Sequence, residues 1–253
     1  MPNKILDNYR RVFEFLQWCD IAIEVVDARN VEGTRSSKMD KRIKDKLLIA
    51  ACKADLLPSD ARRIKETEGI PIIYFSTRTR VGIPNLLRHI RLMRTKKKVE
   101  RIKVTIFGIP NVGKSTLINV LSRRHAARTG FMPGITRGEQ WVKIGDDILL
   151  CDTPGVFVLN NTESELAEKG AVAVEKLKNP MAAATKLIDK FSCCHNNSLF
   201  KFYGVEKAKG DEALEAITRK RCMLLRRGEP NLEEMAKVIM RDFQKGKFVL
   251  VKK

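Results

Sequence analysis

The chain has 253 residues, of which 43% are hydrophobic, and a formal net charge of +19 at pH 7. This hydrophobic fraction is sufficient for a packed core and excludes a wholly disordered chain. No apolar run approaches the roughly 20 residues of a membrane-spanning helix. Because phosphates release condensed counterions when they are neutralised, the excess of positive charge predicts a nucleic-acid partner rather than a membrane surface. A basic surface that contacts only water is the alternative.

The six cysteines have no C-x-x-C spacing, and two of them lie within apolar, strand-like segments, as buried free thiols commonly do. Cys193, Cys194 and His195 are adjacent, but no second cluster would complete four zinc ligands. No signal peptide is recognised at the start of the sequence. We therefore expect a reduced, soluble, cytoplasmic and monomeric protein.

Hydrophobic periodicity predicts strands and helices that alternate along the first part of the chain. The predicted strands are Ile21–Asp27, Leu47–Cys52, Ile70–Phe75, Ile102–Phe107, Gln140–Ile144 and Asp147–Cys151. The predicted helices are Asn8–Trp18, one that begins near Pro58, Ile83–Met93 and Lys114–Leu121. This alternation predicts an α/β fold with a mostly parallel, doubly wound sheet covered by helices on both faces.

Beyond Thr162 the pattern changes to helices alone. These are predicted at Glu165–Leu177, Met181–Phe191, Asp211–Leu225 and Asn231–Phe243. We therefore predict two domains, residues 1–162 and an all-helical domain of residues 163–253.

A basic cluster lies on or just after one of the predicted helices of the second domain. It consists of Arg219, Lys220, Arg221, Arg226 and Arg227. At helical spacing these side chains can share one face and follow a phosphate backbone, although a solvated helix face is the alternative. The few aromatic residues of this domain have the pattern of core residues rather than of platforms that stack on bases. This favours structured, double-helical RNA over single strands.

Between a predicted strand and a predicted helix, the sequence has the G-x4-G-K-[ST] pattern of a phosphate-binding P-loop. The glycines allow backbone N–H groups to turn toward phosphates, and Lys114 supplies a positive charge for the β- and γ-phosphates. The hydroxyl of Ser115 is a predicted Mg²⁺ ligand. The residues predicted to contact the nucleotide here are Gly108, Pro110, Asn111, Val112, Gly113, Lys114, Ser115 and Thr116.

Downstream, Asp152-Thr153-Pro154-Gly155 follows the last predicted strand. In this position Asp152 can hold Mg²⁺ through a water, and the N–H of Gly155 can contact the γ-phosphate. Thr136, in the intervening loop, is predicted to complete the Mg²⁺ shell, with Thr116 and Thr129 as alternatives. The predicted catalytic residues are Lys114, Thr136 and Gly155, and the predicted Mg²⁺ ligands are Ser115, Thr136 and Asp152.

No N-K-x-D string, which reads guanine in GTPases, follows residue 155. Instead, Cys52-Lys53-Ala54-Asp55 ends an upstream strand, where the Asp55 carboxylate can accept bonds from guanine N1–H and the exocyclic amine. The Lys53 stem can pack along the base. The next predicted strand ends in Ser76-Thr77-Arg78, which resembles the S-A-K string whose backbone contacts the guanine oxygen. Lys53, Asp55, Ser76 and Thr77 are therefore predicted to bind the base of GTP or GDP.

The base motifs thus precede the phosphate motifs, and in this order the sequence resembles the circularly permuted GTPases of the YlqF/YawG ribosome-assembly family. Asp27-Ala28-Arg29, followed by Gly33-Thr34-Arg35, is similar to the family's signature after its first strand. The resemblance implies a circularly permuted P-loop GTPase that uses Mg²⁺ and acts on ribosomal RNA or a ribosomal subunit precursor. It favours the large subunit.

The chain departs from the family at two places. Cys52 replaces an Asn whose amide would brace the P-loop, so we expect weaker guanine binding with selectivity still set by Asp55. The start of the chain lacks the catalytic His of the bacterial members.

Slow hydrolysis is expected because Val156 stands where many GTPases place a water-orienting Gln. Asn111 resembles the Asn that coordinates K⁺ in cation-activated GTPases, while a turn-favouring Asn is the alternative.

These features predict a GTP-hydrolysing ribosome assembly factor that binds pre-ribosomal RNA in a nucleotide-dependent way. Two alternatives remain open. One is a GTPase that acts on another RNA or on a protein client, and the other is an RNA-binding GTP switch with negligible turnover.

Overall fold

The computed structural model describes residues 12–35, 43–57, 66–124, 131–132, 141–152, 172–193 and 197–250. The chain divides into two compact units, Met1–Val158 and Leu159–Lys253. The boundary predicted at residue 162, the helix predicted near Pro58 and the first seven residues of the helix predicted at Glu165 lie outside the described residues. These three stay predictions.

The described strands of the first unit form one sheet of eight strands. They are β1 (Ile21–Asp27), β2 (Leu47–Cys52), β3 (Glu66–Thr67), β4 (Ile70–Tyr74), β5 (Ile102–Phe107), β6 (Phe131–Met132), β7 (Trp141–Ile144) and β8 (Ile148–Asp152). The described helices are α1 (12–18), α2 (Val31–Thr34), α3 (Ile83–Lys97) and α4 (Lys114–Arg124). Three single turns of 3₁₀-helix join these elements, at Ala28–Asn30, Lys44–Lys46 and Ala54–Leu56.

The strands lie in the order β3-β4-β2-β1-β5-β8-β7-β6. The central five, from β4 to β8, are parallel, whereas β3, β6 and β7 pair antiparallel at the two edges. This is the α/β architecture that the sequence predicts. Because parallel strands point the same way, the loops that leave β4, β2, β1, β5 and β8 all emerge at one edge of the sheet.

Three of the six predicted strands have the predicted bounds, and the other three differ by one residue at one or both ends. The short edge strands β3 and β6 were not predicted. The central strand β1 is buried along its whole length, as expected for a strand with neighbours on both sides. Its Glu24 is fully buried, with the carboxylate 3.5 Å from the guanidinium of Arg35. Helix α3 continues four residues beyond its predicted end at Met93, because Lys and Arg are good helix formers and are favourable near a carboxyl terminus.

The second unit consists of helices. They are α5 (Pro180–Cys193), α6 (Ser198–Tyr203), α7 (Gly210–Lys220) and α8 (Leu232–Gln244), preceded by a 3₁₀ turn at Val174–Lys176. That single turn stands where the sequence predicts the end of a longer helix. Among the described residues of the whole chain, none of the helices has the length and apolarity needed to cross a membrane.

Aromatic rings form the centre of the second unit, as the sequence predicts. The Phe248 ring lies 5.5 Å from that of Phe191 and 5.8 Å from that of Phe243, measured between centroids. The Tyr203 hydroxyl donates a buried hydrogen bond of 3.0 Å to Asp242. Burial, and then the charge of Asp242, raise the pKa of Tyr203 well above its ordinary value, so its proton is held at neutral pH.

The basic cluster does not lie on one helix face. Helix α7 ends at Lys220, five residues before its predicted end, because Cys222 adopts a left-handed conformation with φ 51°. The chain then folds into a tight turn, in which Leu225 N–H donates to Glu229 O at 2.8 Å and Asn231 N–H to Met223 O at 2.9 Å. We call residues 223–231 the basic turn, since it presents Arg226 and Arg227.

Candidate nucleotide-binding site

The P-loop leaves the carboxyl end of β5 and enters α4, as the sequence predicts. Gly108 has φ 143°, and a Cβ atom there would lie 2.4 Å from the carbonyl oxygen of Val25 on β1. Gly113 has φ 111°, and a Cβ atom there would lie 2.9 Å from Cys52 Sγ. Both glycines are therefore required by a left-handed conformation and by close approach to neighbouring strands.

Lys114 begins α4 and is buried, with its ammonium inside the loop. It donates to the carbonyl oxygens of Gly108 at 3.1 Å and of Ile109 at 2.9 Å. Ser115 and Thr116 follow in the first turn and are exposed, so their hydroxyls are accessible from solvent. Asn111 is exposed at the tip of the loop with φ 62°, a conformation that Asn tolerates better than most residues.

The predicted Mg²⁺ ligands are described only in part. Backbone pairing of Ile106 with Asp152 puts Asp152 beside the strand that leads into the P-loop. The Asp152 side chain, Thr136 and Gly155 lie outside the described part of the structure, so their roles stay predictions. The exposed Ser115 hydroxyl is an oxygen donor of the kind that Mg²⁺ prefers. Within the described residues, no group of three His, Cys, Asp or Glu side chains could hold a metal ion.

The predicted base-binding residues leave β2 and β4, on the P-loop's edge of the sheet. After β2, Lys53 is left-handed with φ 65°, and Asp55 lies in the following 3₁₀ turn. Ala54 N–H donates to Phe75 O at 3.1 Å, which ties this turn to the loop after β4. Asp55 is half-buried, and in the described part of the chain no hydrogen bond or ion pair engages its carboxylate.

Ser76 and Thr77 have internal partners in the loop after β4. The Ser76 hydroxyl is buried and accepts N–H bonds from Arg78 at 3.2 Å and Thr79 at 3.1 Å. Ser76 therefore shapes the turn itself. The Thr77 hydroxyl lies near the Cys52 thiol and slightly opposes the rise in the thiol's pKa.

We call residues 53–57, the turn after β2, the base loop. The Cys52 side chain fills the space between the base loop and the P-loop. It is buried, and its sulfur lies against Gly113. Burial raises the pKa of the Cys52 thiol to about 11, against a smaller opposing effect of Lys53. The thiol is therefore neutral at physiological pH and serves as an apolar contact beneath the P-loop.

Asp27 ends β1, and the sequence indicates its importance only through the signature Asp27-Ala28-Arg29. Its carboxylate is buried and accepts bonds from Lys53 Nζ at 2.9 Å and from Arg29 at 2.9 Å through Nε and 2.7 Å through Nη2. Although burial alone would raise its pKa, the bonds and charge of Arg29, followed by the charge of Lys53, lower the pKa to about 2. The signal in the sequence is an acid at the end of a strand rich in β-branched residues.

The order of the strands explains how these parts meet. β1 pairs on one side with β2, which leads into the base loop, and on the other with β5, which leads into the P-loop. Asp27 is directly opposite Cys52 in the register of β1 and β2. The geometry therefore brings the P-loop and the predicted base-binding residues to one edge of the sheet.

Comparisons with known proteins agree with this arrangement. A family described as 50S ribosome-binding GTPase matches residues 103–225. The solved structure of YlqF from T. maritima with GNP bound has a TM-score of 0.65 at 23% identity and covers 94% of each chain. The GDP-bound structure of that protein has a TM-score of 0.67 at 23% identity. These two likenesses concern the fold.

Among sequence relatives, an uncharacterized GTP-binding protein of Methanocaldococcus jannaschii is 36% identical over 97% of this chain and 64% of its own. Nucleolar GTP-binding protein 2 of Pneumocystis carinii is 28% identical, and the chain spans 52% of its length. Ribosome biogenesis GTPase A of Bacillus licheniformis is 32% identical over 98% of this chain and 94% of its own length. This chain therefore belongs to the family of ribosome biogenesis GTPase A.

Proposed function

We propose that this protein binds GTP, hydrolyses it slowly, and assists the assembly of a ribosomal subunit by binding pre-ribosomal RNA in a nucleotide-dependent way. The observation that carries the proposal is the convergence of the P-loop and of the base loop at one edge of the sheet, through the shared neighbour β1. Family membership points to the same activity. We further propose a cytoplasmic monomer.

Guanine, rather than adenine, is the base that suits this loop. Asp55 has a half-buried carboxylate with no bond in the described structure, and guanine offers two N–H groups on one edge. Adenine has no N1–H and would leave the carboxylate facing a ring nitrogen that also accepts. Thr77 and the backbone of the loop after β4 lie beside this position, held by the bond between Ala54 N–H and Phe75 O.

Replacing Asp55 with Asn should weaken GDP binding at least about 100-fold and strengthen binding of xanthosine diphosphate. The charge of the acceptor is lost, and one of its two hydrogen bonds, each contributing about 1.5–3 kcal/mol, is replaced by contact between two N–H donors. Asp45→Asn, the same change at the opposite end of β2, is the control and should leave both affinities unchanged. The measurement is titration calorimetry with both nucleotides. Equal GDP affinity in Asp55→Asn and the wild type would contradict the assignment of the base loop.

We also propose that Cys52 gives the site a lower affinity for guanine nucleotides than an Asn at position 52 would give. The thiol lies against Gly113 but offers only a weak donor and acceptor to the P-loop and to the nucleotide. An Asn at this position has an amide that can bond to both.

We therefore expect Cys52→Asn to bind GDP several-fold more tightly than the wild type, consistent with about 1 kcal/mol for one added hydrogen bond. Cys52→Ala, which lacks both thiol and amide, is the matched comparison and should bind no better than the wild type. Displacement of a fluorescent GDP analogue gives both constants. Asn and Ala variants of equal affinity would show that the amide has no role.

Slow turnover is proposed because Val156, which follows the D-T-P-G motif, cannot orient water. Mg²⁺ held by Ser115, Thr136 and Asp152 would neutralise charge on the phosphates. Asn111, exposed at the P-loop tip, is proposed as a ligand for K⁺, which would supply positive charge near the transferred phosphoryl group.

Single-turnover GTP hydrolysis should be about tenfold or more faster in KCl than in NaCl, since one fixed charge at the transition state has an effect of this size or larger. Asn111→Ala should remove most of the difference while leaving GDP affinity nearly unchanged. Equal rates in both salts would rule out the K⁺ site. Absence of turnover in both salts, even with ribosomes present, would favour the RNA-binding switch over the enzyme.

The basic turn is the proposed contact with RNA. Arg226 and Arg227 are exposed, whereas Arg219 is paired with Glu215 at 2.7 Å on its own helix. Two exposed leucines, Leu224 and Leu225, lie beside the arginines. In this geometry the two arginines project from a short turn, which suits shape-based contact with the phosphates of a folded RNA. The family favours a precursor of the large subunit.

The double variant Arg226→Gln/Arg227→Gln should reduce cosedimentation with ribosomal particles in the presence of a non-hydrolysable GTP analogue. We expect about tenfold weaker binding and a shallower dependence on salt, since two phosphate contacts are lost. The control is Arg219→Gln/Lys237→Gln, which removes the same charge from two residues that are paired within their helices. Equal losses in both variants would mean that only net charge matters.

A further inference from the structure

We infer that Asp27 is a positioning residue of the nucleotide site, which acts by holding the Lys53 ammonium so that the Lys53 stem lies where the purine ring packs. The inference rests on the proposed binding of guanine nucleotides by the base loop. It concerns a side chain that contacts Lys53 and has no assigned role in binding or catalysis.

The register of the sheet brings the two residues together. Asp27 is the last residue of β1 and is opposite Cys52, the last residue of β2, so that Lys53 is the first residue to leave the sheet beside it. The Lys53 Nζ lies 2.9 Å from Asp27 Oδ2. Parallel pairing over six residues fixes this juxtaposition independently of the nucleotide.

The carboxylate is rigidly held. The Arg29 side chain donates to both carboxylate oxygens, through Nε to Oδ1 and through Nη2 to Oδ2. The backbone N–H of Arg29 also donates to Oδ1, at 3.0 Å. The backbone N–H of Asp27 donates to Thr34 Oγ1 at 3.0 Å, and that hydroxyl donates to Asn30 O at 2.8 Å. An ammonium bound to such a group has a fixed anchor point.

Lys53 is the member of the pair that needs an anchor. Its backbone is left-handed, a conformation that is unfavourable for a residue with a Cβ, and its side chain is only about one-quarter exposed. A free lysine side chain samples many rotamers, so a stem that must lie flat along a base would lose that freedom when the ligand binds. The ion pair with Asp27 fixes the far end of the stem before binding, which lowers this entropic cost.

A purely structural role for Asp27 makes a different prediction. Its Oδ1 caps the 3₁₀ turn Ala28–Asn30, and loss of that cap would destabilise the loop whether or not Lys53 were present. A positioning role requires that the effect of Asp27 on nucleotide affinity disappear when the Lys53 ammonium is removed. It also requires that discrimination between purines, which Asp55 would set, stay unchanged.

The test is a double-mutant cycle on the full chain, with calorimetric titration of GDP and of inosine diphosphate. Asp27→Asn should lower the affinity for both nucleotides by the same factor, about 5- to 10-fold, which is within the range found for contacting residues. In a Lys53→Met background, which keeps the stem but lacks the ammonium, Asp27→Asn should change affinity less than about twofold. Glu32→Gln, in the neighbouring short helix, is the matched control, since the Glu32 carboxylate accepts its hydrogen bond from Thr67.

The inference is overturned if Asp27→Asn has no effect, if its effect persists in the Lys53→Met background, or if the ratio of GDP to inosine diphosphate affinity changes. Wild-type protein that binds neither nucleotide, or binds both equally, would instead contradict the proposed function. Circular dichroism reports whether Asp27→Asn folds. If Asp27→Asn does not fold, Asp27→Glu, which keeps the charge, replaces it in the same cycle. The loss of nucleotide affinity caused by Asp27→Glu should be smaller, and it must also disappear in the Lys53→Met background.

Discussion

The parallel pairing of β1 with both β2 and β5 is the constraint on which the site depends. The predicted base loop precedes the P-loop in the chain, and about fifty residues of sequence separate the two. The two loops meet at a common edge because β1 lies between β2, which leads into the base loop, and β5, which leads into the P-loop. Strand β1 is buried on all sides, and its burial is therefore a requirement of the site as well as of the core.

Close packing along this edge also couples the two loops. The backbone of Val25 approaches Gly108, and the sulfur of Cys52 approaches Gly113, so β1 and β2 each touch the P-loop directly. A conformational change in the base loop is therefore transmitted to the P-loop directly, through packed atoms and without an intermediate element. The neutral thiol of Cys52 lies at this contact. Asp27 adds an electrostatic link on the same edge.

The parts of the fold that follow from local patterns could be predicted from the sequence. Strands such as Ile102–Phe107 are continuous apolar runs that end at turn-forming residues, and the P-loop pattern has a physical reason at each position. The end of α7 could not be predicted, because a left-handed Cys222 and a cross-turn pairing, rather than any Gly or Pro, stop the helix. The contact of Asp27 with Lys53 could not be predicted, because it depends on which strands are adjacent in the sheet. Hydrophobic periodicity within one strand carries no information about its neighbours.

The central claim is that the upstream turn at Lys53–Asp55 and the downstream P-loop form a single guanine nucleotide site. Photolabelling with 8-azido-GDP, followed by peptide mapping, tests this most directly because the azide lies on the base. We expect the label in peptides that contain residues 53–55 or 76–79, and we expect unlabelled GDP, but not ADP, to prevent the reaction. Labelling confined to the segment after residue 155, or labelling that ADP prevents equally well, would contradict it.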